Sequence, residues 1–320
     1  MMKKVWLIAA IALILVGSLA FVGAMALSGF DFSVLDTQEQ VSNTYEFEDT
    51  IEKILVDVDT TDIRFLPAED GVCKVVCQER DKLRHAVYVN EKTLFIKLVD
   101  TRDWYEHIEF FGSEMKITVY LPADQYISLE IETDTGDIDL EEGTRFSTVD
   151  IEGDTSDVTA LAAVESLFAV ELDTGDIAIS SNTGALLRLS TDTGSMRVKN
   201  VNSSQEVWLE TDTGDITLSN VSCRKVEIDS DTGDVTLTEV VTTDRIRITT
   251  DTGDVELERS DAPTISIQTT TGDVSGSVLT EKTFLTDTST GKVKVPQTNG
   301  ESICQVKTST GDIRFSVVGR

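Results

Sequence analysis

Histidine is almost missing from this 320-residue chain: His85 and His107 are the only two, and neither has a convincing partner in the sequence. That scarcity removes the usual nitrogen ligands of a zinc centre and the base of a Ser-His-Asp triad. Cations are few as well, with 27 Lys and Arg against 57 Asp and Glu, a net charge of −30 that runs through most of the chain. Phosphate binding needs clustered cations, so nucleic acid is excluded as a partner. Aromatics make up only 6% of residues, which leaves few platforms for stacking sugars. Glycine-rich nucleotide loops do not occur, because the glycines of the motif described below stand one repeat apart.

Four cysteines do not make a disulfide framework. Cys73 and Cys77 share one strand-like run, Val72-Cys73-Lys74-Val75-Val76-Cys77. At ~3.3 Å per residue their Cα atoms stand about 13 Å apart, too far to bridge while the run stays extended. Cys304 falls in an apolar column and Cys223 follows a turn, so both read as buried free thiols.

What the N-terminus does contain is a long uncharged run. Val5 to Leu27 holds 23 residues without a charge, after Met1-Met2-Lys3-Lys4. A bilayer core needs roughly 20 helical residues, whereas a cleaved signal has an apolar region of about 7–15. The length predicts a retained single-pass anchor in the cell membrane. Lys3 and Lys4 place the N-terminus in the cytoplasm and the bulk of the chain outside. Cleavage after Ala24-Met25-Ala26 is the alternative, and the absence of a nearby cysteine excludes a lipoprotein anchor.

The rest of the chain is organised by a repeat. Thr-Asp-Thr-Gly-Asp-Ile/Val recurs with its glycine at 136, 175, 194, 214, 233, 253, 272, 291 and 311, and Ser156 takes the glycine place in one further copy. Successive spacings are 19 or 20 residues. Around each glycine, apolar and polar residues alternate as in strands with one buried face. Five positions before it run Ile131, Ile151, Val170, Leu189, Leu209, Ile228, Ile248, Ile267 and Val306, with Thr286 as the exception. Two positions after it run Ile138, Val158, Ile177, Met196, Ile216, Val235, Val255, Val274, Val293 and Ile313. Seven before it lies a column from Leu129 to Phe284 that also receives Cys304.

Two short strands meeting at a Thr-Gly corner predict an all-β fold, a single-stranded parallel β-solenoid of about ten 19–20 residue coils. Each coil buries its apolar face only by stacking on its neighbours, about 4.8 Å away. The competing reading makes Asp-Thr-Gly-Asp a hairpin turn in an antiparallel meander or propeller. A propeller blade needs about 40 residues and systematic differences between paired repeats, which are absent. The expected division is 1–30 anchor, 31–128 linker and irregular β cap, and 129–320 repeat domain. Within the cap, Ile54 to Phe65 reads as a degenerate repeat with Thr61 at the glycine position. Val72–Cys77, Thr93–Leu98 and Met115–Tyr120 look like strands, and the aromatic stretch around Trp104, Tyr105, His107, Phe110 and Phe111 is expected to pack over the solenoid end or to form a binding loop.

The order of anchor, irregular β region ending in Val119-Tyr120-Leu121-Pro122, and Leu129-Glu130-Ile131-Glu132-Thr133-Asp134-Thr135-Gly136-Asp137-Ile138 with its repeats resembles a bacterial candidate-adhesin family of unknown function. That family includes LiaG-type envelope proteins. The resemblance spans essentially all of the chain after the anchor. It implies a cell-surface β-solenoid, often in Gram-positive bacteria and sometimes linked to envelope-stress systems, and supplies no catalytic residues.

The sharpest chemistry is the acid pair of the repeat: Asp134/Asp137, Asp154/Asp157, Asp173/Asp176, Asp212/Asp215, Asp231/Asp234 and Asp251/Asp254. In stacked coils each like-charge pair costs ~1 kcal/mol or more, so something must offset it. No cofactor is expected, and calcium, a hard cation that takes six to eight oxygens, is one candidate for the offset. Turn chemistry is the other, with each aspartate accepting backbone N–H groups. Ser195 and Lys292 replace the second acid, while Thr270, Ser289 and Ser309 replace the first, which favours the local reading. A polysaccharide-cleaving enzyme should have one coil unlike its neighbours, and the pair instead recurs unchanged. The expected role is a non-enzymatic binding or structural module, its partner an envelope polymer or a membrane or surface protein. A sensor acting through a membrane partner is the alternative.

Overall fold

The computed structural model describes residues 13–19, 21–23, 26, 40–80, 82–103, 115–122, 127–180, 184, 186–203 and 205–319. Most of Val5–Leu27 lies outside them; residues 13–19, 21–23 and 26 are helical. Among the described residues no helix is long and apolar enough to cross a membrane, so the expected anchor receives no support from the fold. The aromatics from Trp104 to Phe111 also lie outside the described residues.

Parallel pairing settles the repeat as a solenoid. Val170 pairs with Leu189, and Leu189 with Leu209, each strand lying in register on the equivalent strand of the next copy. The strands after the corner do the same, Ile177 on Met196 and Met196 on Ile216. A hairpin at Asp-Thr-Gly-Asp would have paired them antiparallel. The three apolar columns become one continuous core, fully buried from Leu129 through the Gly272 coil. Each such Val, Leu or Ile contributes roughly 1.5–3 kcal/mol relative to exposure. Phe65 and Phe146 meet edge-on inside it, with ring centroids 5.9 Å apart.

Among the described residues nine strands build the N-terminal end: β1 (Gln40–Phe47), β2 (Lys53–Thr60), β3 (Asp62–Pro67), β4 (Cys73–Arg80), β5 (Leu83–Asn90), β6 (Thr93–Asp100), β7 (Lys116–Leu121), β8 (Ile127–Thr135) and β9 (Ile138–Leu140). The degenerate repeat is a true coil. β2 pairs in parallel with β8 and β3 with β9, so Thr60 lies against Thr135 and Ile63 against Ile138. On its other side stand β6 and β7, again in parallel. The first coil of the chain is therefore sandwiched between two later ones. β4 runs antiparallel to both β1 and β7, and β5 antiparallel to β6 through a turn in which Glu91 and Lys92 take positive φ. These antiparallel strands cover the end of the stack, as an otherwise open edge requires.

The C-terminal end repeats the device in reverse. Ser302–Thr310 pairs with Thr264–Thr271 on one side and with Lys282–Thr290 on the other. The Gly311 coil is thus inserted between the Gly272 and Gly291 coils, and the Gly291 coil is outermost. This explains why Thr286 interrupts its column and why Val293 is 45% exposed while its equivalents are buried. No coil covers them among the described residues.

Candidate functional site

The repeat motif is a solution to one backbone problem at the corner. Each corner glycine brings its chain against the preceding coil: a Cβ on Gly233, at φ +148, would sit 2.0 Å from the carbonyl oxygen of Gly214. The bend leaves a carbonyl and an amide to be satisfied from elsewhere. At several corners the hydroxyl three positions before the glycine reaches that carbonyl, whereas those of Ser230, Thr250 and Thr269 are buried without a hydrogen-bond partner among the described residues. Thr191 donates to the oxygen of Gly175 at 3.3 Å, Thr211 to that of Gly194 at 3.4 Å and Thr308 to that of Gly272 at 3.3 Å.

The acid after the glycine takes the amide. Oδ1 of Asp157 accepts the N–H of Asp176 at 2.8 Å, Asp176 that of Ser195 at 2.8 Å, and Asp215 that of Asp234 at 2.9 Å. Asp234 accepts from Asp254 and Asp254 from Asp273, at 2.8 and 2.7 Å. Asp62 begins the series toward Asp137, and Asp137 passes it, at 3.4 Å, to Asp157. All six second acids of the sequence-predicted pairs, Asp137, Asp157, Asp176, Asp215, Asp234 and Asp254, are therefore acceptors for the next coil. Lys292 occupies this position in the outermost coil, where no further amide follows, and its own N–H donates to Asp312 at 2.7 Å.

Ser156 departs from glycine together with a second change. Its coil carries Gly153 where the glycine coils carry a hydroxyl or, before Gly175, Leu172, and a Cβ there would meet Leu172 Cδ2 at 3.1 Å and Ser156 Oγ at 3.3 Å. The serine side chain fills the space its neighbour vacates.

The first acids behave differently. Asp134, Asp154, Asp173, Asp212, Asp231 and Asp251 are all exposed. With Glu132, Glu152 and Glu171, the first three line a groove of about 250 Å³. Farther along, partial burial and then Asp229, Asp212, Asp231 and Asp192 push the Glu210 carboxyl above its ordinary range. Burial raises Asp229 as well, against the opposing pull of Arg247. Like charges thus act along this outward strip and also at the first corner, where burial and then Glu141, Asp137 and Asp62 raise the Asp139 carboxyl against the pull of Arg64.

One stretch of the same face has the opposite character. Arg188, Trp208, Glu227 and Arg247 are successive partners across four coils, with the Arg188 guanidinium 5.1 Å from the Trp208 ring centre. Beside them Glu206, Lys225 and Arg245 form a second column. Lys225 reaches Glu206 at 2.7 Å, and Arg247 reaches Glu227 at 3.7 Å. This cationic and aromatic patch was not singled out from the sequence, because its members are about 20 residues apart and meet only through the stacking register.

Two buried polar groups were missed too. His85 does have a partner: its Nδ1 lies 3.0 Å from Oε1 of Glu79, with both side chains fully buried. Burial holds its imidazole below the ordinary range, opposed by Glu79. Lys282 is buried beside Asp261 and donates to the carbonyl of Ala262 at 2.6 Å, fixing the start of the outermost coil. All four cysteines are free and buried, and burial pushes each thiol up to about 12.

The family profile described as Toastrack DUF4097 matches residues 51–316. No curated protein matches the chain. Among solved structures, the chain is similar to a candidate adhesin of Bacteroides fragilis, at 16% identity and a TM-score of 0.41, covering 87% of this chain and 97% of that one. A candidate adhesin of Parabacteroides distasonis is similar at 10% identity and a TM-score of 0.32, with 87% and 98% covered. A candidate lipid-binding protein from the same organism is similar at 12% identity and a TM-score of 0.30, with 86% and 96% covered.

Proposed function

This chain belongs to the Toastrack DUF4097 family, and from that premise we propose that it is a non-enzymatic binding and structural module of the bacterial envelope, an adhesin-like rod that holds an anionic envelope polymer along one face. The observation that carries the reading is the column Arg188–Trp208–Glu227–Arg247 with Lys225 and Arg245 beside it, a cationic and aromatic strip on a chain of net charge −30. Tryptophan and arginine are the side chains that dominate recognition surfaces, and the guanidinium fork suits carboxylate and phosphate groups. The uniformity of the corner from coil to coil supports a module without catalysis. The uncharged run Val5–Leu27 behind Lys3 and Lys4 supports attachment to the cell membrane with the rod outside.

Binding of the fragment from residue 31 to isolated envelope polymers tests this. The Trp208→Ala and Arg188→Glu variants should each weaken binding about tenfold or more, which is about 1.4 kcal/mol, while Thr217→Ala should not. Equal binding by all of them removes the proposal.

The exposed groove of Glu132, Asp134, Glu152, Asp154, Glu171 and Asp173 favours a second reading, that calcium bridges the first acids. A rise in melting temperature specific to calcium over magnesium would support it.

A further inference from the structure

The cap brings together a thiol, an imidazole and a carboxylate that the sequence analysis did not connect. Cys77 and Glu79 lie two residues apart on β4, so both leave the same face of the strand. His85 enters from β5. The three are 0%, 1% and 3% exposed, and one donor atom from each lies within 4.8 Å of the other two. This sits against a core built mainly of apolar columns, where an ionisable cluster has a cost that something must offset.

The hydrogen bonds around the trio divide its atoms into two sets. Oε2 of Glu79 accepts from the Asn43 side chain on β1 at 2.6 Å. Nε2 of His85 is 3.3 Å from Oγ1 of Thr61, the corner residue of the first coil. These contacts fix the far atom of each ring or carboxylate. The near atoms, Nδ1 of His85 and Oε1 of Glu79, stand 3.0 Å apart, and Oε1 also takes the backbone N–H of His85. Metal sites are built this way: each ligand offers one atom to the ion while a neighbour holds the other. Two donors each ~2.0–2.1 Å from a tetrahedral ion stand about 3.3 Å apart, close to the spacing seen here.

We propose that Cys77, Glu79 and His85 form a binding site for a divalent transition metal, zinc by the chemistry of its donors, in the cap of the solenoid. A sulfur, a nitrogen and one carboxylate oxygen suit zinc, whereas calcium and magnesium take oxygen alone. Binding would release the Cys77 thiol proton to solvent, with no change of oxidation state. The single ring proton of neutral His85 would then sit on Nε2, where Thr61 accepts it. A fourth position is left for water. The ion ties β4 to β5 and, through Asn43 and Thr61, to β1 and the first coil, so its role is to fasten the cap.

The test uses the full chain in detergent. Zinc is measured by elemental analysis after exhaustive dialysis, and the chelated protein is then titrated with cobalt(II), whose thiolate band in the near ultraviolet reports sulfur ligation. One zinc per chain, a fall in melting temperature on chelation that zinc reverses, and a cobalt–thiolate band are the expected results. The band should vanish in Cys77→Ser and persist in Cys73→Ser. Asn43→Ala should keep the band and weaken affinity by about 10–100-fold, which serves as the second measurement if Cys77→Ser does not fold. A chain with no bound zinc, no band and no response to chelation overturns the proposal, and the contact is then a proton shared between Glu79 and His85.

Discussion

Oδ1 of Asp273 accepts the backbone N–H of Asp312 at 2.7 Å, although 39 residues separate them. The same atom of Asp312 accepts the N–H of Lys292 at 2.7 Å, so the series runs 273, 312, 292 and turns back on the sequence. The last coil of the chain is thus held on both sides, and the terminus is an interior rung.

That order predicts hydrogen exchange. Amides of Ser302–Thr310 should exchange more slowly than those of Lys282–Thr290, although the latter lie farther from the C-terminus in sequence. Fraying begins where few buried contacts hold a strand. Faster exchange in Ser302–Thr310 would contradict the inserted position.

The role of the second acid predicts a difference between two substitutions. Asp234→Ala removes the acceptor for Asp254 and should destabilise by about 1–2 kcal/mol. Asp234→Asn keeps an oxygen acceptor and removes a charge, so its effect should stay within about 0.5 kcal/mol. Urea unfolding of both measures this, and equal losses would mean that the amide contact is not what the acid supplies.

The corner glycines predict a large effect at a small substitution. Gly233→Ala drives a methyl group into the Gly214 carbonyl and holds alanine at φ +148, so a loss of about 3–5 kcal/mol is expected. Ser156→Gly should cost far less, since that corner lacks the positive φ of its neighbours. Thermal unfolding of the pair decides it.

Acid stability has a defined sign at Asp273. Its carboxyl is held below the ordinary range first by the Asp312 N–H and then by Arg314. A depressed pKa adds stability that is fully present above the unfolded value and is lost as pH falls through the folded one. The melting temperature of the native chain should therefore exceed that of Asp273→Ala most at neutral pH, and the gap should close below the ordinary aspartate range. A gap independent of pH would assign the effect to packing.

Calcium should act, if at all, through Asp134, Asp154, Asp173, Asp212, Asp231 and Asp251, because one oxygen of each second acid is already engaged. A calcium-dependent rise in melting temperature that survives Asp157→Asn and disappears in Asp154→Asn is the expected pattern for a site on the outer strip. The reverse pattern would place the ion at the corner.

The sequence by itself determined the coil. Its period, its three apolar columns and the place of Thr61, Ser156 and Cys304 are set by alternation along the chain and by the glycine bend, which are local and visible at every repeat. Tertiary structure decided which coil lies on which. Rungs of like sequence offer like edges, so no local feature distinguishes a sequential stack from one in which the Gly311 coil slips between the Gly272 and Gly291 coils. It also decided the division of labour within each acid pair, because the amide that Asp157 caps belongs to another coil. It decided the contact of Glu79 with His85 as well: the two lie six residues apart on β4 and β5, and the antiparallel pairing of Arg80 with Leu83 and the burial of both side chains bring them together, which their spacing alone does not record.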